Sequence, residues 1–139
     1  MKIKVSQTNV PVWHDATVIA ELPHRLKALD VMSKNLWWVW NSEAKSLFRD
    51  INPDLWRSTG ENPVMVLQRL SSERLSEIQN DKEMMDRIER VYASFNDYMS
   101  KPMRKDIPSV SYFSMEYGLC NCLKIYSGGL GVLAGDYIK

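Results

Sequence analysis

Gly128, Gly129, Gly131 and Gly135 gather four of the chain's six glycines into one short stretch, within IYSGGLGVLAGDYIK. Glycine gives up more backbone entropy on folding than any other residue, so such a cluster answers a steric need. Either the backbone takes a conformation closed to other residues, or something approaches it closely. A glycine turn running into a helix leaves backbone N–H groups without partners, and the helix dipole adds positive potential there. The chemistry that suits this arrangement is the binding of a phosphate or another anion. The spacing Gly129-x-Gly131-x-x-Ala134 also matches a dinucleotide fingerprint, but residues 116–127 separate it from the strand it should follow directly. No Gly-Lys-Ser/Thr follows, so the pattern is not a P-loop. A tight helix–strand contact with no ligand explains the same glycines and stays open at this level.

Other residues have fewer chemical options. Glu116 lies at the end of an expected strand, where its carboxylate can accept N–H bonds and orient the glycine loop. Asp136 falls near the expected start of the last helix, where the dipole favours an acid. Cys120 and Cys122 sit one residue apart, with His14 and His24 far away in sequence. That is no zinc pattern, and the two read as free thiols. Both histidines read as ordinary surface residues, and no metal site is expected. Trp37, Trp38 and Trp40 have flat faces that stack well on sugar rings. Trp37 and Trp40 share a helical face with Leu29 and Leu36 and read as core, which leaves Trp38 as the exposed candidate.

The elements around these residues follow from pattern. Met1–Asn9 alternates apolar and polar residues like a short strand, and a run from Val18 to Leu22 can pair with it. Leu26, Leu29, Met32, Leu36, Trp37 and Trp40 recur at helical steps after Pro23. Asn41 or Ser42 is placed to cap a helix carrying Ala44, Leu47, Phe48 and Ile51. Pro53 opens another turn that Gly60 ends, Asn62-Pro63 marks a break, and Pro63 to Leu70 reads as a short helix. Ser71 or Ser72 and then Asp81 are the next cap candidates. The helix after Asp81 carries Met84, Met85, Ile88, Val91, Tyr92, Phe95 and Tyr98, with Met99 at its end. Its methionines read as core, and Asp86, Arg87, Glu89 and Arg90 as its solvated face. Lys101 to Asp106 read as a connector. The β-branched and aromatic run SVSYFSM, residues 109–115, reads as a buried strand.

The expected fold is therefore mostly α with a few short strands. Residues 1–107 form a helical unit, with a short β-hairpin at its start. Residues 108–139 supply the first strand, glycine loop and helix start of an α/β domain whose remaining strands are not in this chain. With 18 Lys plus Arg against 17 Asp plus Glu, the chain lacks the basic excess of a nucleic-acid binder. No window has the roughly 18 apolar residues of a membrane span, and no secretory signal stands at the N-terminus. The cysteine usage fits a reducing cytoplasm.

Two motifs at their spacing, YFSMEYGL at residues 112–119 and IYSGGLGVLAGD at residues 125–136, resemble the N-terminal domain of α-glucan (glycogen and starch) phosphorylases. NLWWVWN, at residues 35–41, is similar to a tryptophan-rich signature in the helical extension of the shorter bacterial branch. The resemblance implies the N-terminal fragment of an enzyme with a GT-B fold, two Rossmann-like domains about a cleft. It implies phosphorolysis of α-1,4-glucans to glucose 1-phosphate, with pyridoxal phosphate as cofactor and the glucan and inorganic phosphate as partners. Gly128 and Gly129 then correspond to cofactor-binding positions, and Gly129 and Leu130 to substrate-binding ones. No catalytic residue is expected in this chain, because the family's Schiff-base lysine and phosphate-gripping residues lie downstream. The chain alone is expected to be inactive, and a homo-oligomer is compatible with the resemblance. A glycogen synthase-like glucosyltransferase is the neighbouring reading, but such enzymes favour a lysine where this chain has Tyr126. A non-catalytic helical module that binds glucan or a partner, with Trp38 as its contact, is the reading from a different class.

Overall fold

The computed structural model describes residues 21–102, 106, 108 and 110–138. A short 3₁₀ turn, His24–Leu26, leads into α1 (Lys27–Ser33), α2 (Trp37–Trp40), α3 (Ser42–Ile51) and α4 (Pro53–Ser58). Then come α5 (Pro63–Gln68), α6 (Ser72–Asn80), the long α7 (Lys82–Ser100) and, after a non-helical stretch, α8 (Gly129–Tyr137). The described residues are mostly helical and contain no strand.

Helix starts are set locally. A side-chain oxygen at each N-cap accepts a backbone N–H that the first turn would otherwise leave unpaired. Asn41 accepts from Ala44 at 2.9 Å, and Asn52 from Leu55 at 2.9 Å. Asn62 accepts from Met65 at 3.2 Å, Ser71 from Arg74 at 3.2 Å, and Asp81 from Met84 at 3.0 Å. Pro53 and Pro63 occupy first helical positions, where a missing N–H costs nothing. Between α4 and α5 the chain turns through Gly60 and Glu61, both at positive φ.

One expected helix is divided. The apolar period from Leu26 to Trp40 runs on, but Lys34, Asn35 and Leu36 leave the helix. Asn35 turns its carboxamide oxygen to the N–H of Trp37 at 2.9 Å and restarts the chain as α2. An Asn that bonds its own backbone ahead competes with the helix, and apolar spacing does not register this.

α7 packs against α1, α3 and α6, while α5 closes on α1 and α4. Leu26, Leu29, Met32, Leu47, Phe48, Ile51 and Val66 are wholly buried between these helices. α7 contributes Met85, Ile88, Val91 and Phe95, at the three- and four-residue steps of one face. Met84 is half-buried against this core, and Met99 is exposed, taking a weak hydrogen bond from Asn35 on its sulfur. Arg87, expected to be solvated, instead ties α7 to α3. It donates to Asp50 at 2.9 Å and to the Ser46 hydroxyl at 2.7 Å.

The expected strand after residue 108 is not formed. Val110 and Ser111 to Ser114 belong to no ladder, and Phe113 is 90% exposed. A buried parallel strand requires neighbours on both edges and cover on both faces, and none of the described residues supplies them. The expected hairpin at residues 1–9 and 18–22 falls largely outside the described residues, as does His14. Glu21 and Leu22, which are described, carry no strand.

Candidate functional site

The glycine turn is held from below by a strapped loop. Glu116 accepts the Ser127 N–H at 3.2 Å on one carboxylate oxygen and the Ser127 hydroxyl at 3.1 Å on the other. It therefore orients the residue that precedes the first glycine, as its position in sequence suggests. The Tyr117 N–H donates to the Ile125 carbonyl at 3.2 Å, closing the loop between them. The Gly118 N–H donates to the Gly131 carbonyl at 2.7 Å, docking the loop on α8. Tyr117 also reaches back, with its hydroxyl accepting the Ser114 N–H at 3.0 Å.

The clustered glycines divide into two pairs with different reasons for being glycine. A Cβ on Gly131 would collide with the Tyr126 side chain, and one on Gly135 with the backbone of Gly118. Those two permit close packing of the loop against α8. Gly128 and Gly129 meet nothing: a Cβ at either would project into open space. Both are exposed, as is Leu130. Gly128 is the N-cap, with no side-chain cap, and its carbonyl accepts from Val132 at 3.3 Å. The first-turn N–H groups of Gly129 and Leu130 thus lie on an accessible helix start with the polarity an anion requires. The sequence offered a ligand-free tight contact and an anion cradle as alternatives; Gly131 and Gly135 serve the first, and Gly128 and Gly129 are free for the second.

A shallow cleft of roughly 390 Å³ adjoins this start, lined by Asn121, Lys124, Tyr126, Ser127, Gly128 and Val132. Lys124 brings a cation to the same side as the free amides. Sequence reading passed over it because a lone lysine in a loop carries no signal until the loop folds back.

Other expectations are corrected. Trp38 is not exposed: only 2% of it reaches solvent, and it packs edge-on against Phe48 and Trp56, with ring centroids 6.4 and 6.0 Å away. On a single turn such as α2, facing α3 on one side and α7 on another, two adjacent tryptophans both find cover. Trp37 meets Phe95 edge-on at 5.4 Å, while Trp40 is half-buried. Asp136 lies in the last turn of α8 rather than the first, because the helix begins as early as Gly129. It lines a second cleft, of roughly 230 Å³, with Trp38, Trp40, Lys45, Gly118 and Cys120 among its walls.

Cys120 and Cys122 are free thiols whose sulfurs lie 2.9 Å apart. Burial, followed by the neighbouring Cys120 thiol, pushes the Cys122 thiol up to about 12. Among the described residues, no three His, Cys, Asp or Glu side chains gather to hold a metal ion. None of their helices is long and apolar enough to cross a membrane.

The family described as "Protein of unknown function (DUF3417)" matches residues 22–123. Glycogen phosphorylase of Mycobacterium tuberculosis is 40% identical over 135 residues, covering 88% of this chain and 16% of that protein. Glycogen phosphorylase of Aquifex aeolicus is 39% identical over 111 residues, 78% of this chain and 16% of the relative. Maltodextrin phosphorylase of Thermococcus litoralis is 39% identical over 127 residues, 86% of this chain and 15% of the relative. The chain thus spans about a sixth of the length of these curated relatives, and no solved structure matches it. From the capped helices through the cysteine loop, the chain belongs to the family described as DUF3417 and corresponds to an N-terminal fragment of α-glucan phosphorylases.

Proposed function

We propose that this chain contributes one wall of the active-site cleft of an α-glucan phosphorylase, an enzyme that splits α-1,4-glucans with inorganic phosphate to yield glucose 1-phosphate. The observation that carries the reading is the open helix start, where Gly128 and Gly129 have free space in front of them and no side chain caps the turn. Likeness to named phosphorylases on both sides of residue 100 supports it.

In this reading the amides of Gly129 and Leu130 donate to oxygens of phosphate or of the glucosyl unit, and Gly128 and Gly129 let the cofactor approach. The residues present fit a phosphorylated cofactor, since uncapped amides and a nearby Lys124 suit an anionic oxygen. Pyridoxal phosphate, when bound, supplies a phosphate group for acid–base exchange with inorganic phosphate. The chain's own contribution is positional: Glu116 fixes Ser127, Gly118 fixes Gly131, and the helix start is aimed before any ligand arrives. A GT-B fold supplies the opposite wall, and the exposed Val110, Phe113 and Met115 are the edge and faces it covers. Cytoplasmic location and assembly of identical subunits belong to this reading too. The alternative of a glucan-binding helical module rested on an exposed Trp38, and Trp38 is buried.

The test joins this chain to the remainder of a phosphorylase such as the Thermococcus litoralis maltodextrin enzyme, replacing the matched segment. Glucose 1-phosphate formation by the folded hybrid is expected, with none from the 139-residue chain alone. A folded, cofactor-loaded hybrid that releases no product would contradict the proposal.

A further inference from the structure

The glycine turn makes no use of Cys120 and Cys122, yet their sulfurs stand only 2.9 Å apart across Asn121. They occupy the tip of the strapped loop, where the Leu123 N–H donates to the Cys120 carbonyl at 3.2 Å. Both side chains are half-buried and pack against the helical core. Cys120 also lines the 230 Å³ cleft between α2 and the end of α8, which gives a small solute access to it.

Distances decide between two uses of a thiol pair. A disulfide bond is about 2.05 Å long, so the sulfurs need to approach by about 0.9 Å. Two thiolates on a tetrahedral zinc, each at about 2.3 Å, lie about 3.8 Å apart, so the pair would have to open by a similar amount. A zinc site would also need further ligands, and no such cluster exists among the described residues. We propose that Cys120 and Cys122 form a reversible dithiol–disulfide site, oxidised by a low-molecular-weight disulfide such as oxidised glutathione.

The Cys120 thiolate attacks one sulfur of the oxidant, whose S–S bond breaks and whose other half leaves as a thiolate and takes a proton. The Cys122 sulfur then gives up its proton, attacks the Cys120 sulfur of the mixed disulfide and expels the second thiol. Two protein thiols lose two electrons, and one oxidant disulfide becomes two thiols. Cys120 attacks first because it faces the cleft, while burial disfavours the Cys122 thiolate. A ring enclosing a single residue between its cysteines is tight, and tight disulfides are readily reduced, which makes the site reversible. Closure draws in the loop that carries Gly118, whose N–H holds Gly131 of α8. The redox state is therefore transmitted to the base of the glycine turn.

The chain has only these two cysteines, so intact mass reads the site directly. After exposure to oxidised glutathione and then an alkylating agent, the wild-type chain should be lighter by two hydrogens and carry no alkyl groups. Dithiothreitol should restore double alkylation. Cys122→Ser should stop at the Cys120–glutathione adduct, and Cys120→Ser should react far more slowly. Hydrogen exchange at the Gly118 amide should slow several-fold on oxidation. A wild-type chain that stays doubly alkylated, accumulates the glutathione adduct or links to a second chain overturns the site. Unchanged Gly118 exchange in the oxidised protein overturns the link to α8. The wild-type readouts stand even where a serine variant fails to fold.

Discussion

The helices between residues 24 and 100 and the segment between residues 110 and 138 carry similar large apolar side chains and place them oppositely. Phe48 and Phe95 are buried in the first, whereas Phe113 in the second is 90% exposed and Met115 98%. Leu130, Val132, Leu133, Tyr137 and Ile138 add to the second region's exposed apolar surface. Burying one such side chain contributes roughly 1.5–3 kcal/mol, so the helical region gathers that gain many times over and the later segment mostly forgoes it. Helices whose faces close on their neighbours are satisfied by contacts within the chain. A strand-forming run and a helix apolar on several sides need a sheet and further helices. Exposed apolar surface on this scale marks a surface that meets other protein, which on the proposed reading is the body of the enzyme.

The sharpest break of the comparison is a matched pair of truncations. Phe48→Ala should cost about 3–5 kcal/mol in urea unfolding followed by circular dichroism, because it leaves a cavity in a closed core. Phe113→Ala should change the same midpoint by less than about 0.5 kcal/mol. A large loss from Phe113→Ala would mean that the later segment has a core of its own. Within that segment the glycines sharpen the contrast. Gly135→Ala sets a Cβ against the Gly118 backbone, a strain on the order of 1–3 kcal/mol that should speed Gly118 amide exchange roughly ten- to a hundredfold. Gly128→Ala, facing open space, should leave that exchange unchanged.

A smaller effect tests the local signals of the helical region. Asn41→Ala removes the cap on Ala44 and should cost about 1 kcal/mol of thermal stability. The smallest concerns Asp50. Burial works to raise its carboxyl, but hydrogen bonds from Arg87 and Arg49 outweigh burial and hold it below its ordinary 3.8. A depressed folded value means stability that is present above the ordinary carboxylate range and is lost as pH falls through the lower folded one. The pair is partly exposed, so Arg87→Ala should cost at most about 1 kcal/mol at pH 7 and flatten the acid limb of the stability curve. A limb unchanged by that substitution would remove Asp50 from the account.

How legible each part was follows from the range of the forces involved. Asn41, Ser71, Asp81, Pro53 and Pro63 act within one helical turn, so sequence alone located the helix starts they govern. The break at Asn35 depends on a side chain choosing its own backbone over the helix, which apolar spacing conceals. The burial of Trp38 depends on Phe48 and Trp56 arriving from α3 and α4, and no local pattern encodes that meeting. Residues 109–115 have strand character, but a strand exists only with a partner. At the glycine turn, the cluster was visible as a cluster. Which glycines serve packing and which face open space emerged only once the loop from Glu116 to Ser127 had closed.

Anion binding at this helix start turns most directly on the amide of Gly129. Proline there removes that N–H yet suits the first helical position, since Gly128 before it is already extended and a Cβ at Gly129 meets no neighbouring atom. In a hybrid phosphorylase carrying this chain, Gly129→Pro should leave folding intact and lower kcat for glucose 1-phosphate formation by about a hundredfold or more. Gly129→Ala, which keeps the N–H but sets a methyl group in the space the cofactor uses, should lower kcat by less than Gly129→Pro does. A Gly129→Pro enzyme that turns over at the full rate would contradict the claim that this helix start holds the reacting anion.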